Sequence, residues 1–118
     1  MTSKRKILIV DDEVAGPQLL KKLLERKRPY DVRVEHDSRQ ALDVARSFQP
    51  DLILLDIIMP ELDGGDVATQ IRSTEAVQNV PIVFISACAQ PIDGYPFLSK
   101  PAPVEQVIEC IEENLLSS

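Results

Sequence analysis

Four short stretches of this sequence carry side chains that can do chemistry together. Asp11, Asp12 and Glu13 stand in a row behind the apolar run Ile7-Leu8-Ile9-Val10, and Asp56 ends a second run, Leu52-Ile53-Leu54-Leu55. Ser86 ends a third, Ile82-Val83-Phe84-Ile85, and Lys100-Pro101 follows the short segment Phe97-Leu98-Ser99. If the four runs lie side by side, three carboxylates, a hydroxyl and an ammonium meet in one patch. Carboxylates held within a few ångströms repel one another strongly unless a cation sits among them. An all-oxygen ligand set with open positions suits Mg²⁺, which keeps several waters and binds one or two carboxylates together with a phosphate. Taken singly, each piece has a plainer explanation. An acidic run after a strand is often a solvated loop, Asp56 and Ser86 can cap turns or helices, and Lys-Pro is a common turn dipeptide. Their joint occurrence at the ends of four apolar runs favours the chemical reading.

The elements that must position these groups are legible in the apolar pattern. The three runs of four are short, aliphatic or β-branched, and bounded by acids, Pro or Ser, as strands buried on both faces of a parallel sheet are. Residues 31–35 alternate, with Val32 and Val34 inward, which suits an edge strand with one wet face. Phe97-Leu98 is a fifth, very short candidate. Between them run helical patterns. Leu19, Leu20, Leu23 and Leu24 form one stripe, with Pro17 tolerable near the helix start. Ser38 is a suitable N-cap for a helix carrying Ala41, Leu42, Val44 and Ala45. A weaker helix spans about residues 65–73, burying Val67, Ala68 and Ile71. The clearest follows Pro103, with Val104, Val107, Ile108, Ile111 and Leu115 at helical spacing. Alternating strands and helices predict a doubly wound α/β fold, in which ligands bind at the carboxyl ends of the strands. That edge is where the acids, the serine and the lysine fall.

Composition excludes several functions. The 118 residues fit one ordinary domain able to bury a core without staples. A net charge of −6 with no long basic run argues against direct nucleic-acid binding. Cys88 and Cys110 form no CxxC and have no histidine cluster beside them, so they read as small buried hydrophobes in a reducing compartment. Cys88, two residues past Ser86, can influence water access to the site. His36, the one histidine, ends the second strand with no evident ligand partner and reads as a surface residue. The basic start Lys4-Arg5-Lys6 precedes only four apolar residues, too few for a signal peptide or a membrane span, so a cytoplasmic protein is expected.

Three segments resemble the receiver domains of bacterial response regulators, over essentially the whole of residues 1–118. They are Ile7-Leu8-Ile9-Val10-Asp11-Asp12-Glu13, the longer stretch Asp51-Leu52-Ile53-Leu54-Leu55-Asp56-Ile57-Ile58-Met59-Pro60-Glu61-Leu62-Asp63-Gly64, and Phe97-Leu98-Ser99-Lys100-Pro101. The resemblance implies a five-stranded parallel sheet of flavodoxin-like order 2-1-3-4-5. It implies Asp56 as phosphoacceptor from a sensor histidine kinase or phosphotransfer protein. Mg²⁺ would be held by Asp12, Asp56 and the backbone carbonyl of Ile58, with Asp11 acting mostly through water. Lys100 and Ser86 would bind phosphoryl oxygens, and a cis Lys100-Pro101 peptide would aim the lysine inward. Phe97 would follow Ser86 as the moving aromatic of a two-state switch that controls an output domain or downstream protein. Such a chain is a signalling domain that assists its own phosphorylation and dephosphorylation, not an enzyme with a separate substrate.

The sequence departs from that family in one place. Only residues 87–95 separate Ser86 from Pro96-Phe97-Leu98, and Pro91 and Gly94 interrupt them. The helix between strands four and five is therefore expected to be absent or reduced to one turn. Pro91, Ile92, Tyr95 and Pro96 would then cover the sheet or offer an apolar partner site. Two rival functions share the fold: a phosphorylation-independent pseudo-receiver, and an aspartate-nucleophile phosphatase, which carries a second Asp where Ile58 stands. A flavodoxin-like FMN carrier is disfavoured, because Asp11-Asp12-Glu13 would repel its phosphate.

Overall fold

A computed structural model of the chain describes residues 4–87 and 90–117; Cys88 lies outside the described residues. The elements run β1 (Arg5–Val10), α1 (Ala15–Lys27), β2 (Tyr30–Glu35), a 3-10 turn (Ser38–Gln40), α2 (Ala41–Phe48), β3 (Leu52–Asp56), α3 (Gly64–Arg72), β4 (Ile82–Ser86), β5 (Phe97–Ser99) and α4 (Val104–Leu116). All strand pairs are parallel, in the order β2-β1-β3-β4-β5.

The strand pattern divides the core into two layers. Because successive side chains point to opposite faces, Leu8, Val10, Ile53, Leu55, Ile82 and Phe84 pack with α2 and α3 on one side. Ile7, Ile9, Leu52, Leu54, Val83 and Ile85 meet Leu24 of α1 and Val107, Ile108 and Ile111 of α4 on the other. Full burial of each such side chain contributes about 1.5–3 kcal/mol. This is why the continuous apolar runs were required: a central strand with one polar face could not take helices on both sides.

Two expectations change in detail. The α1 stripe is only partly used: Leu24 is fully buried, but Leu19 remains 58% exposed, so part of this helix's apolar side faces outward. Ser38 does not cap α2. Asp37 caps the 3-10 turn by accepting from the Arg39 N–H, and α2 begins only at Ala41. The buried Ser38 hydroxyl is used elsewhere, since it donates to the Pro60 carbonyl at 2.9 Å and accepts from the Leu62 N–H at 3.1 Å.

Between β4 and β5 no helix occurs among the described residues. Ile92 and Tyr95 pack against the α2–α3 layer of the core instead. The Tyr95 ring meets Phe84 edge-on, with centroids 5.0 Å apart, and the Arg72 guanidinium lies 5.5 Å from the Tyr95 centroid. Gly94, at φ 88°, turns the chain back toward β5 in a conformation only glycine adopts without strain. The short connection thus covers the sheet with an aromatic side chain where a helix would otherwise lie.

Candidate functional site: an acidic cluster at the carboxyl ends of the strands

β1 and β3 are adjacent, with Val10 opposite Leu55. Their next residues, Asp11 and Asp56, therefore emerge side by side at one edge of the sheet. Asp11 is 3% exposed and Asp56 6%. With Asp12, less buried than either, they offer carboxylate oxygens that all lie within 4.8 Å of one another. β5 brings the cation. Lys100 follows it directly, its N–H donates to the Ser86 carbonyl at 3.0 Å, and its peptide bond to Pro101 is cis. The ammonium Nζ sits 2.6 Å from Asp11 Oδ2, 3.5 Å from Asp56 Oδ2 and 3.8 Å from Glu13 Oε1.

The electrostatics follow from that crowding. Burial raises the Asp56 carboxyl above its ordinary value; Lys100 opposes the rise and the Asp11 charge adds to it. Burial alone would depress the Lys100 ammonium, but the Asp11 and Asp56 carboxylates overcome this and hold it above the usual lysine range. Three carboxylates and one ammonium leave two negative charges, which a divalent cation matches. The donor set is all oxygen, so the residues present fit Mg²⁺.

Of the remaining sequence-predicted residues, Ser86 and Ile58 lie at the same edge and Phe97 two positions back from it, at the start of β5. Ser86 is buried at the end of β4, opposite Ser99 in register. Phe97 is half-buried on β5, opposite Phe84. Ile58, two residues past Asp56, is 57% exposed. The loop that carries it is closed by α3. Asp63 and Asp66 form a reciprocal capping box, and the Gly64 N–H donates to the Ile57 carbonyl at 2.8 Å. A Cβ at Gly64 would run into the Asp56 carbonyl oxygen and lie 2.8 Å from the Ile57 Cα, so only glycine lets this helix start so close to the end of β3.

Two residues read otherwise from sequence also belong here. His36 is not a surface residue without partners. It is partly buried, its Nδ1 lies 3.0 Å from the Asp11 carbonyl oxygen, and its Nε2 lies 3.1 Å from Gln18 Nε2. Ser38, read as a cap, ties the turn after β2 to the loop after β3. Applying the strand-end rule to β2, as it was applied to the other strands, would have pointed to His36.

Comparison with known proteins agrees with this geometry. Residues 7–112 match the family model described as response regulator receiver domain. The chain is 30% identical to the polar-differentiation response regulator DivK of Brucella ovis, over 94% of this chain and 96% of that protein. The fold superposes on Vibrio cholerae chemotaxis protein CheY4 with a TM-score of 0.86 at 24% identity, covering 94% and 98% of the two chains. A response regulator from Desulfuromonas acetoxidans gives 0.85 at 20% identity, covering 96% and 98%. The acid cluster, the strand order and these matches agree, and the chain belongs to the response regulator receiver domain family of two-component signalling.

Proposed function

We propose that residues 1–118 act as one receiver domain that takes a phosphoryl group onto Asp56 with Mg²⁺ and thereby changes the β4–β5 side of the molecule. One observation carries this reading: a nearly buried carboxylate, a lysine ammonium and two further acids meet at a single sheet edge. In the step itself an Asp56 carboxylate oxygen forms a bond to phosphorus. The bond from phosphorus to the donor's imidazole nitrogen breaks, and that nitrogen regains a proton from solvent. Phosphoryl transfer is mostly positioning and charge neutralisation. Asp11, Asp12, Asp56 and the Ile58 carbonyl would hold Mg²⁺, which when bound neutralises charge on the transferred group. Lys100 supplies a compact positive charge to one phosphoryl oxygen and Ser86 a hydrogen bond to another. Ser86 and Phe97, on adjacent strands, would then shift together as a two-state switch.

The donor is a histidine kinase or phosphotransfer protein. Support comes from the apolar surface beside the acids. Val14 is 63% exposed and, with Leu19 and Ile58, stands close in sequence to the site residues. A groove of about 400 Å³ runs from Lys100 and Asp11 along Pro17, Leu20 and Leu23 of α1 to Val104 of α4. Among the described residues no helix is long and apolar enough to cross a membrane, which is compatible with the cytoplasmic site of action proposed here. That no helix occurs between β4 and β5 among the described residues favours one second reading, a phosphorylation-independent binding module. Ile58 at the acid/base position of the aspartate phosphatases disfavours turnover of a separate substrate.

Intact-mass measurement after incubation with acetyl phosphate separates these. One phosphoryl group should be added to the wild type with Mg²⁺, none in EDTA, and none to Asp56→Asn. Absence of any adduct, together with unchanged NMR spectra in beryllofluoride and Mg²⁺, would favour the binding module.

A further inference from the structure

We infer that the turn after β2, which holds no metal ligand, is the frame that sets the spacing of the metal-binding loops, with His36 and Ser38 as its positioning residues. This rests on the Mg²⁺ site proposed above. Two segments must supply that site: the loop after β1 carries Asp11 and Asp12, and the end of β3 with the loop that follows carries Asp56 and Ile58. Both are bonded to the same four residues, 35–38. The Asp11 N–H donates to the Glu35 carbonyl at 3.1 Å, and the Asp11 carbonyl accepts from His36 Nδ1 at 3.0 Å. Residue 11 is therefore gripped on both sides of its Cα. On the other flank, the Ser38 hydroxyl donates to the Pro60 carbonyl and accepts from the Leu62 N–H.

The histidine's chemistry is determined by its neighbours. A carbonyl oxygen can only accept, so Nδ1 carries the hydrogen. In the neutral ring Nε2 is then an acceptor, and the Gln18 amide 3.1 Å away donates to it. Gln18 lies on α1, so the imidazole links the helix after the acidic loop to the turn after β2. The Asp11 carboxylate is fixed in turn, since Oδ1 accepts from the Glu13 N–H at 3.0 Å and Oδ2 from Lys100. Groups that orient a metal ligand without touching the metal typically govern its affinity.

The test is a Mg²⁺ titration of the full chain followed by NMR amide shifts, paired with thermal melts in EDTA. His36→Asn keeps an N–H donor at the δ position, whereas His36→Gln moves it to the ε position. The Mg²⁺ dissociation constant should rise about tenfold in His36→Gln and stay within about twofold of wild type in His36→Asn, with both melting alike in EDTA. Ser38→Ala should weaken Mg²⁺ about tenfold by releasing the other loop. Equal affinity in the two histidine variants, or losses that merely follow melting temperature, would overturn the inference. Failure of the wild type itself to bind Mg²⁺ would instead defeat the proposed function, and the frame's role with it.

Discussion

The loops over β1 to β3 and the connection between β4 and β5 reach the same sheet edge, but they are held by different forces. Over β1 to β3 the contacts are directional hydrogen bonds: His36 to Asp11, Ser38 to Pro60 and Leu62, Gly64 to Ile57, and the Asp63–Asp66 box. Between β4 and β5 the side-chain contacts of the described residues are mainly those of Ile92 and Tyr95, the latter edge-on to Phe84 and under Arg72, beside two backbone bonds, Tyr95 N–H to the Ile92 carbonyl and Phe84 N–H to the Pro96 carbonyl. Hydrogen bonds fix distance and angle; apolar contact is non-directional and tolerates sliding. The difference assigns the work. On the function proposed above, the first region would hold charged groups at fixed spacing, and the second would move when the charge at Asp56 changes.

Substitutions in the two regions sharpen this contrast. The largest loss is expected at Gly64→Ala, where the added methyl meets backbone that cannot give way. It should cost about 2–3 kcal/mol by denaturant melt and also lower phosphoryl uptake, because the strand end that moves carries Asp56. A normal phosphorylation rate in a destabilised Gly64→Ala would separate packing from chemistry and break the comparison. Tyr95→Ala comes next. Losing the half-buried ring and its stacking should cost about 2 kcal/mol, while Mg²⁺-dependent uptake on Asp56 stays near wild type.

The smallest expected effect is a gain. A buried carboxyl with a raised pKa binds its proton more tightly in the folded chain than in the unfolded one. Without metal, that group's contribution to stability therefore falls as pH rises from its ordinary value of 3.8 through its raised folded value. Asp56→Asn removes this loss. At neutral pH in EDTA it should melt about 5 °C above wild type. The gap should close on acidification, and saturating Mg²⁺ should close it too. A lower melting temperature for Asp56→Asn would mean that its ion pair with Lys100 outweighs the burial.

How much of this was readable from sequence depended on the range of the signal. Strands β1, β3 and β4 announce themselves because burial on both faces demands unbroken apolar runs, and the acids and Ser86 are found at their ends. Pro91 and Gly94 make the lack of a helix among the described residues legible for a local reason, since both oppose helix formation within nine residues. Ser38 and His36 were misread because their partners lie 18 to 25 residues away, on other elements and loops. Nothing near Ser38 distinguishes a cap from a clasp; helix propensity favours the first, and the Pro60 carbonyl and Leu62 N–H decide for the second. The exposed side of α1 has a similar origin. Periodicity shows which residues share a face, not whether the neighbouring helix reaches all of it.

The most direct measurement of the central claim is the backbone NMR spectrum of the full chain with Mg²⁺, before and after adding beryllofluoride. An occupied Asp56 should shift the amides of residues 84–87 and 95–100 strongly, with smaller changes at residues 35–38, and Asp56→Asn should show none of this. Shifts confined to the loops around Asp11 and Asp56, with β4 and β5 unmoved, would show a site that binds but does not switch and would contradict the account.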